Sequence, residues 1–175
     1  TPDAGERSTA DLQVVYSPAP QVACVNLALA KLGGTVEVDS SYASYDAGAL
    51  NDGVMSAPTA PFRERAWASA ETECEHWVIV TLPRQAELVA VALHWAYERQ
   101  VVNSSAHVLI EVPEGEGWRT VAEMRNDGPT PQNLVELGGV TAGKVRVLQP
   151  GGEGSVKRRN LIWLSEVEVY AHNQD

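Results

Sequence analysis

No apolar run in the chain approaches the ~20 residues that a membrane-spanning helix needs. Basic residues are also scarce, with 13 Lys and Arg against 23 Asp and Glu. The resulting net charge of −10 and pI near 4.8 repel phosphate backbones and anionic lipid surfaces, which argues against nucleic acid and membrane partners. Lys157-Arg158-Arg159 is a local exception, read as a solvated rim or an acid-pairing cluster. There is no HExxH, no CxxC pair and no P-loop; Gly151-Gly152-Glu153-Gly154 lacks both the lysine and the strand-to-helix setting of a phosphate cradle. The four histidines are scattered and no pair of carboxylates stands out, so an enzyme is not expected. Only Cys24 and Cys74 are available for a disulfide. The bridge, favoured here over two buried thiols because export is expected, would stabilise by about 4 kcal/mol. The opening Thr1-Pro2-Asp3 is unlike a signal peptide, so a mature protein or an excised domain is expected. Internal repeats, low-complexity tracts and a convincing amphipathic helix are all missing from the pattern.

What is present is one domain's worth of sequence. At 175 residues and 44% hydrophobic composition the chain can build one real core, and 14 Gly with 10 Pro supply many turns. Residues 1–21 read as a leader or linker with a first short strand at 12–16, and 22–175 as the folded domain. Alternating apolar segments follow at 22–29, 35–39, 77–82, 88–95, 107–112, 119–124, 134–137, 145–148 and 162–170, with Pro83 bounding one of them. Alternation over such lengths, punctuated by Gly and Pro, signals half-buried strands, and many of them without helices mean an all-β sandwich or barrel. Pro113-Glu114-Gly115-Glu116-Gly117-Trp118 reads as a hairpin with Gly in the turn and an aromatic cover. Loops collect at 40–46, 54–65, 96–105, 125–133 and 151–160, and in a sandwich they carry the function.

The stretch Asn51-Asp52-Gly53 is turn chemistry, because Asn and Asp bond their own backbone and Gly accepts positive φ. A carboxylate on such a turn is either a solvated surface acid or one ligand of a hard cation such as calcium.

The order of landmarks adds a further reading. Asn26-Leu27-Ala28-Leu29, Ala49-Leu50-Asn51-Asp52-Gly53, Trp67-Ala68-Ser69, Trp77-Val78-Ile79-Val80-Thr81-Leu82, Val91-Ala92-Leu93-His94-Trp95, Ile110-Glu111-Val112 with Gly117-Trp118, Val145-Arg146-Val147 and Leu164-Ser165-Glu166-Val167-Glu168-Val169-Tyr170 follow one another. Together they resemble the coagulation factor V/VIII type C (discoidin-like) domain family, whose bacterial members are largely carbohydrate-binding modules. The resemblance implies a β-sandwich jelly roll of the galactose-binding-domain type. It also implies a lectin-like, non-catalytic module, tethered to other domains of a larger secreted or cell-surface protein. In many members a structural calcium sits at the Asn-Asp-Gly turn. Carried over, its ligands are the carboxylates of Asp52 and Glu166 and main-chain carbonyls of Ala49, Val54 and Ser165. The family's Ser or Thr ligand position holds Arg65 here, whose guanidinium is the alternative cation for the two acids.

A sugar site of this kind combines an aromatic face with polar side chains that bond hydroxyls. Tyr97, Arg99, Asn103 and Arg158 are the first candidates, with Tyr42, Tyr45 and Arg63 in neighbouring loops that resemble the family's binding face. Against these stand structural roles: the tyrosines closing the sandwich end, the arginines pairing with surface acids, and Trp67, Trp77, Trp95, Trp118 and Trp163 serving as core or hairpin cover, with His94 structural too. The rival reading is a lipid- or protein-binding adhesion module, with Val54, Met55 and Phe62 as exposed spikes; a spacer is the third.

Overall fold

The computed structural model describes residues 23–59 and 65–173. The expected leader, its strand at 12–16, Arg63 and Phe62 lie outside the described residues. In chain order the strands are β1 (Cys24–Asn26), β2 (Thr35–Val38), β3 (Trp67–Ala68), β4 (His76–Trp95), β5 (Tyr97–Glu98), β6 (Val101–Val102), β7 (His107–Glu114), β8 (Gly117–Arg125), β9 (Gln132–Gln149) and β10 (Trp163–His172). Short 3-10 turns at Ala30–Leu32 and Ala47–Asn51 flank β2. The main ladder runs β1-β10-β4-β9-β7-β8, with β2 added to β4 and β3 to β10, and every pairing is antiparallel. This is the expected all-β jelly roll.

Two long strands serve both faces of the sandwich. The first part of β4 pairs with β2 and with the end of β9, which in turn pairs with β7. Its second part pairs with β10 and with the start of β9. The segments 77–82 and 88–95, expected as separate strands, are therefore one, as are 134–137 and 145–148. Pro83 does not end the strand. It sits exposed in an irregularity where β4 advances five residues, from Thr81 to Ala86, against two on β9, so no ladder bond is asked of it. The complementary bulge lies on β9, where Gly138 (φ 64°) and Gly139 (φ 83°) take the left-handed conformations that let four residues oppose two.

The expected strand at 22–29 is cut to β1. Asn26 ends it, because its Oδ1 accepts the Ala28 and Val169 N–H groups, each at 3.0 Å, and turns the chain out of the ladder. Inward-facing residues of both faces then meet in one core, including Val78, Val80, Leu93, Trp95, Ile110, Val147, Leu164, Val167 and Val169, together with Trp67. Trp163 is buried in a smaller satellite cluster with Ala66, Ala68 and Leu161. Trp77 and Trp118 are only half-buried. Trp118 covers the β7–β8 hairpin as expected, with the Arg146 guanidinium 4.7 Å from its ring centre.

The disulfide is a correction: Cys24 and Cys74 are both exposed and are not bridged to each other. Cys24 stands opposite His172 in the β1–β10 ladder, whereas Cys74 lies in the turn before β4, against Thr72 and His76.

Candidate functional site

One end of the sandwich gathers the segments 39–46, 69–75, the β5–β6 hairpin and 151–160. A buried histidine ties three of them. His76 Nδ1 lies 2.8 Å from Asp39 Oδ2, and its Nε2 lies 3.1 Å from the carbonyls of both Thr72 and Asn160. All of these partners are oxygen atoms able to accept a hydrogen bond, so the ring draws the three segments together. Asp39 in turn accepts the Trp77 N–H at 3.0 Å and the Ser40 hydroxyl at 2.7 Å. Loop 151–160 is drawn tight at Gly154, where a methyl group would run into the carbonyl oxygens of Arg158, Arg159 and Leu161.

On this frame Arg158 sits half-buried between two acids. Its guanidinium donates to Glu71 at 2.8 Å and lies 3.7 Å from Glu98. Burial disfavours its charge, but the Glu71 hydrogen bond and the nearby negative charges outweigh that and raise its pKa. Arg158 also borders a dimple of about 20 Å³ with Tyr42, Tyr45, Ala68, Leu161 and Trp163. Tyr42 is 42% exposed and its N–H donates to the Ala68 carbonyl at 2.8 Å. Tyr45 is half-buried, edge-on to Trp163 with ring centres 6.0 Å apart, and closes the sandwich end.

The other expected residues divide in the same way. Arg99 is exposed at the tip of the β5–β6 hairpin, at φ 59°, and borders a concavity with Glu98, Val101 and Lys157. Tyr97 is half-buried on β5 and donates its N–H to the Ser56 hydroxyl. Asn103 is 3% exposed, and its side chain is occupied: Nδ2 donates to the Val101 carbonyl and Oδ1 accepts from Ser155. It clamps the hairpin to loop 151–160. Arg63 lies outside the described residues. Sequence reasoning did not single out Glu71 or the Asp39–His76 pair. Their partners lie 87 and 37 residues away, and no spacing rule connects such pairs.

The Asn51-Asp52-Gly53 turn lies elsewhere on the fold, against β10. Asp46 caps the 3-10 turn by accepting the Gly48 N–H at 2.8 Å, and Gly53 takes φ 82°. Asn51 is the pin: buried at 3% exposure, it donates to the carbonyls of Ala28 at 2.9 Å and Gly34 at 3.1 Å. Asp52 is exposed and accepts the Val54 N–H at 2.7 Å. Glu166 is fully buried and accepts from Gly53 N–H. Its desolvation, opposed by the Gly53 bond and reinforced by the charges of Asp52 and Glu168, pushes its pKa up to about 8. Ser165 is buried and donates its hydroxyl to the His94 carbonyl. Arg65 is exposed and, among the described residues, forms no ion pair with Asp52 or Glu166, so the guanidinium alternative has no contact behind it. A buried carboxylate beside a second acid, with one N–H for company, is an arrangement that a hard cation fits. Among the described residues no cluster of three or more His, Cys, Asp or Glu side chains forms a metal cage, so main-chain oxygens would have to complete such a site. His94 is structural, bonded to Glu168 at 2.7 Å.

No protein-family model and no curated protein matches the chain. Solved structures do. A family 32 carbohydrate-binding module of Clostridium perfringens NanJ, in complex with galactose, superposes with a TM-score of 0.66 at 12% identity, covering 85% of this chain and 99% of that one. Chitosan-binding module 1 from a Paenibacillus sp. IK-5 chitosanase/glucanase gives a TM-score of 0.60 at 26% identity, with 84% and 99% covered. A family 89 glycoside hydrolase of Clostridium perfringens gives 0.61 at 21%, over 81% of this chain but only 14% of the hydrolase. The fold is that of the discoidin-like jelly roll shared with family 32 carbohydrate-binding modules.

Proposed function

We propose that the chain is a non-catalytic carbohydrate-binding module that takes its sugar at the loop end built around Arg158. The observation that carries this reading is the half-buried guanidinium held between Glu71 and Glu98, beside the exposed ring of Tyr42 and the hairpin tip of Arg99. An oriented fork of donors and acceptors matches vicinal hydroxyls, and an exposed ring offers the apolar face of a pyranose a stacking surface. Complexes of similar modules with galactose and the chitosan-binding module support the ligand class. A shallow site of this size gives millimolar to micromolar affinity, about −4 to −8 kcal/mol, which gains force when the module is tethered to a catalytic domain. The small share of the family 89 hydrolase that this chain matches supports such tethering, and with it a secreted or cell-surface parent. No helix among the described residues is long and apolar enough to cross a membrane.

The turn is read as a structural calcium site, with the carboxylates of Glu166 and Asp52 as charged ligands and the carbonyls of Ala49, Val54 and Ser165 as neutral ones; calcium there neutralises the buried acid and stiffens the turn. Titration of the protein against a panel of immobilised glycans tests the main reading. Binding that Tyr42→Ala and Arg158→Ala each reduce is expected; binding unchanged in both variants moves the site elsewhere, and an empty panel removes the function.

A further inference from the structure

Beside Arg158 the loop end holds two adjoining concavities of about 340 Å³ each, which share Val101 and Lys157. One is the cationic pocket bordered by Glu98, Arg99, Val101 and Lys157. The other is a cleft between β6, loop 126–129 and loop 154–157, walled largely by carbon from Val101, Val102, Ala106, Pro129 and Val156. Val156 is 85% exposed at its edge and continues the apolar wall that Val101 begins. Of the polar side chains along the cleft, Asn103, Ser104 and Asn126 are already engaged. Asn103 bonds Val101 and Ser155, Ser104 accepts the Thr130 N–H, and Asn126 bonds Ser105 and Asn133.

The charges of the pocket are not matched in this way. Among the described residues neither Arg99 nor Lys157 makes an ion pair, while Glu98 is shared with Arg158, which also holds Glu71. Asp127 is the carboxylate on the wall of the neighbouring cleft. On a chain with net charge −10, two unmatched cations around one concavity are a local reversal of sign. Arg99 is also held at φ 59°, a left-handed conformation that non-glycine residues seldom adopt.

We propose that these paired concavities select an acidic, N-acylated sugar, its carboxylate lying between Arg99 and Lys157 and its acyl methyl in the apolar cleft. The proposal rests on the carbohydrate-binding reading and names its ligand class. A guanidinium and an ammonium recognise a carboxylate through charge-assisted hydrogen bonds, and the carbon walls of Val101, Val102, Ala106, Pro129 and Val156 in the cleft next to them suit the methyl. A neutral sugar leaves both cations to water.

Calorimetric titration of the whole chain with 3′-sialyllactose, galacturonic acid and lactose, at about 50 and 300 mM salt, tests it. Sialyllactose is expected to bind about tenfold more tightly than lactose at low salt, a gap that narrows at high salt. Combining Arg99→Gln with Lys157→Gln, both at exposed positions, should close the gap, with an unchanged melting temperature showing that the fold is intact. Galacturonic acid, acidic but without the acyl group, should fall between the two. If it equals sialyllactose, the acyl half of the assignment is wrong. If lactose equals sialyllactose, or the gap survives the double substitution, the inference is overturned while carbohydrate binding stands. If no sugar binds, here or on the wider panel, both fall.

Discussion

Both carboxylate oxygens of Glu166 lie 3.2 Å from the backbone N–H of Gly53, 113 residues earlier in the chain, and no part of the Glu166 side chain reaches solvent. This contact anchors the 51–54 turn to β10 and leaves an acid with a single donor next to Asp52.

The first prediction follows from its titration. The pKa of Glu166 rises from 4.5 to about 8, so between those values the folded protein holds a proton that the unfolded chain has lost. Stability from this group therefore falls as pH rises through that window. Glu168 behaves oppositely: its hydrogen bond to His94 lowers its pKa, so its contribution is lost only as pH falls below the ordinary carboxylate range. In chelator, the melting temperature should drop by roughly 5–10 °C from pH 5 to pH 8, as expected for a loss of a few kcal/mol in a domain of this size. Added calcium should restore it at pH 8, where the carboxylate is ionised, and do little at pH 5. A flat profile in chelator removes the uncompensated acid; a sloped profile that calcium leaves unchanged removes the metal.

Asn51 carries the second prediction. Replacing it with Ala leaves the buried carbonyls of Ala28 and Gly34 without their donors and opens a cavity. A loss of about 2–4 kcal/mol is expected, read as a melting temperature lower by roughly 5–10 °C. Asn51→Asp keeps the shape but aims a carboxylate at two acceptors, so it should do no better than Ala. A shift under about 2 °C for both variants would show that the turn is held by something else.

The strands were legible because alternation survives in segments such as 77–82 and 145–148, and the burial of Trp95 and Trp163 follows from their place within that pattern, whereas Trp67 was placed only by its landmark Trp67-Ala68-Ser69. Continuity was not, because a proline at a bulge and a proline at a strand end look alike in sequence; only the partner strand shows that Thr81 to Ala86 is an irregularity in one strand. In the loops, chemistry was visible and geometry was not. Tyr42, Arg99 and Arg158 do come to one end of the sandwich, but Asn103 spends its amide on Val101 and Ser155, and Tyr45 packs on Trp163. Glu71 reads as one of several acids in a run until the fold places Arg158 against it.

The third prediction concerns His76, which is buried and bonded on both ring nitrogens. His76→Ala frees Asp39, Thr72 and Asn160 at once and leaves Asp39, mostly buried, without its imidazole partner. Leaving a buried polar group without its partner costs about 1–3 kcal/mol, and several are left here, so the melting temperature should fall by at least about 6 °C. Sugar binding should weaken too, because segments 39–46, 69–75 and 151–160 lose their common tie. If the variant melts with the wild type, the histidine is not the tie that its distances suggest.

Arg158 and Glu71 separate binding from stability. Their 2.8 Å contact is about one-third exposed on each side, and an ion pair of that kind contributes about 0.2–1 kcal/mol to folding. Glu71→Gln should therefore move the melting temperature by no more than about 2–3 °C. The same change releases the guanidinium toward Glu98 and alters the fork that would face sugar hydroxyls, so affinity should fall about five- to tenfold, a difference of about 1–1.4 kcal/mol. Arg158→Ala should lose more, since it removes the donors themselves. A double-mutant cycle on affinity then distinguishes the two ways the pair can matter. If Glu71 acts by orienting Arg158, Glu71→Gln has no further effect once Arg158 is alanine; if Glu71 accepts from the sugar itself, its loss is felt in both backgrounds. A large fall in melting temperature with unchanged affinity would mean that the contact merely holds loops 69–75 and 151–160 together, and the sugar would have to be sought away from Arg158.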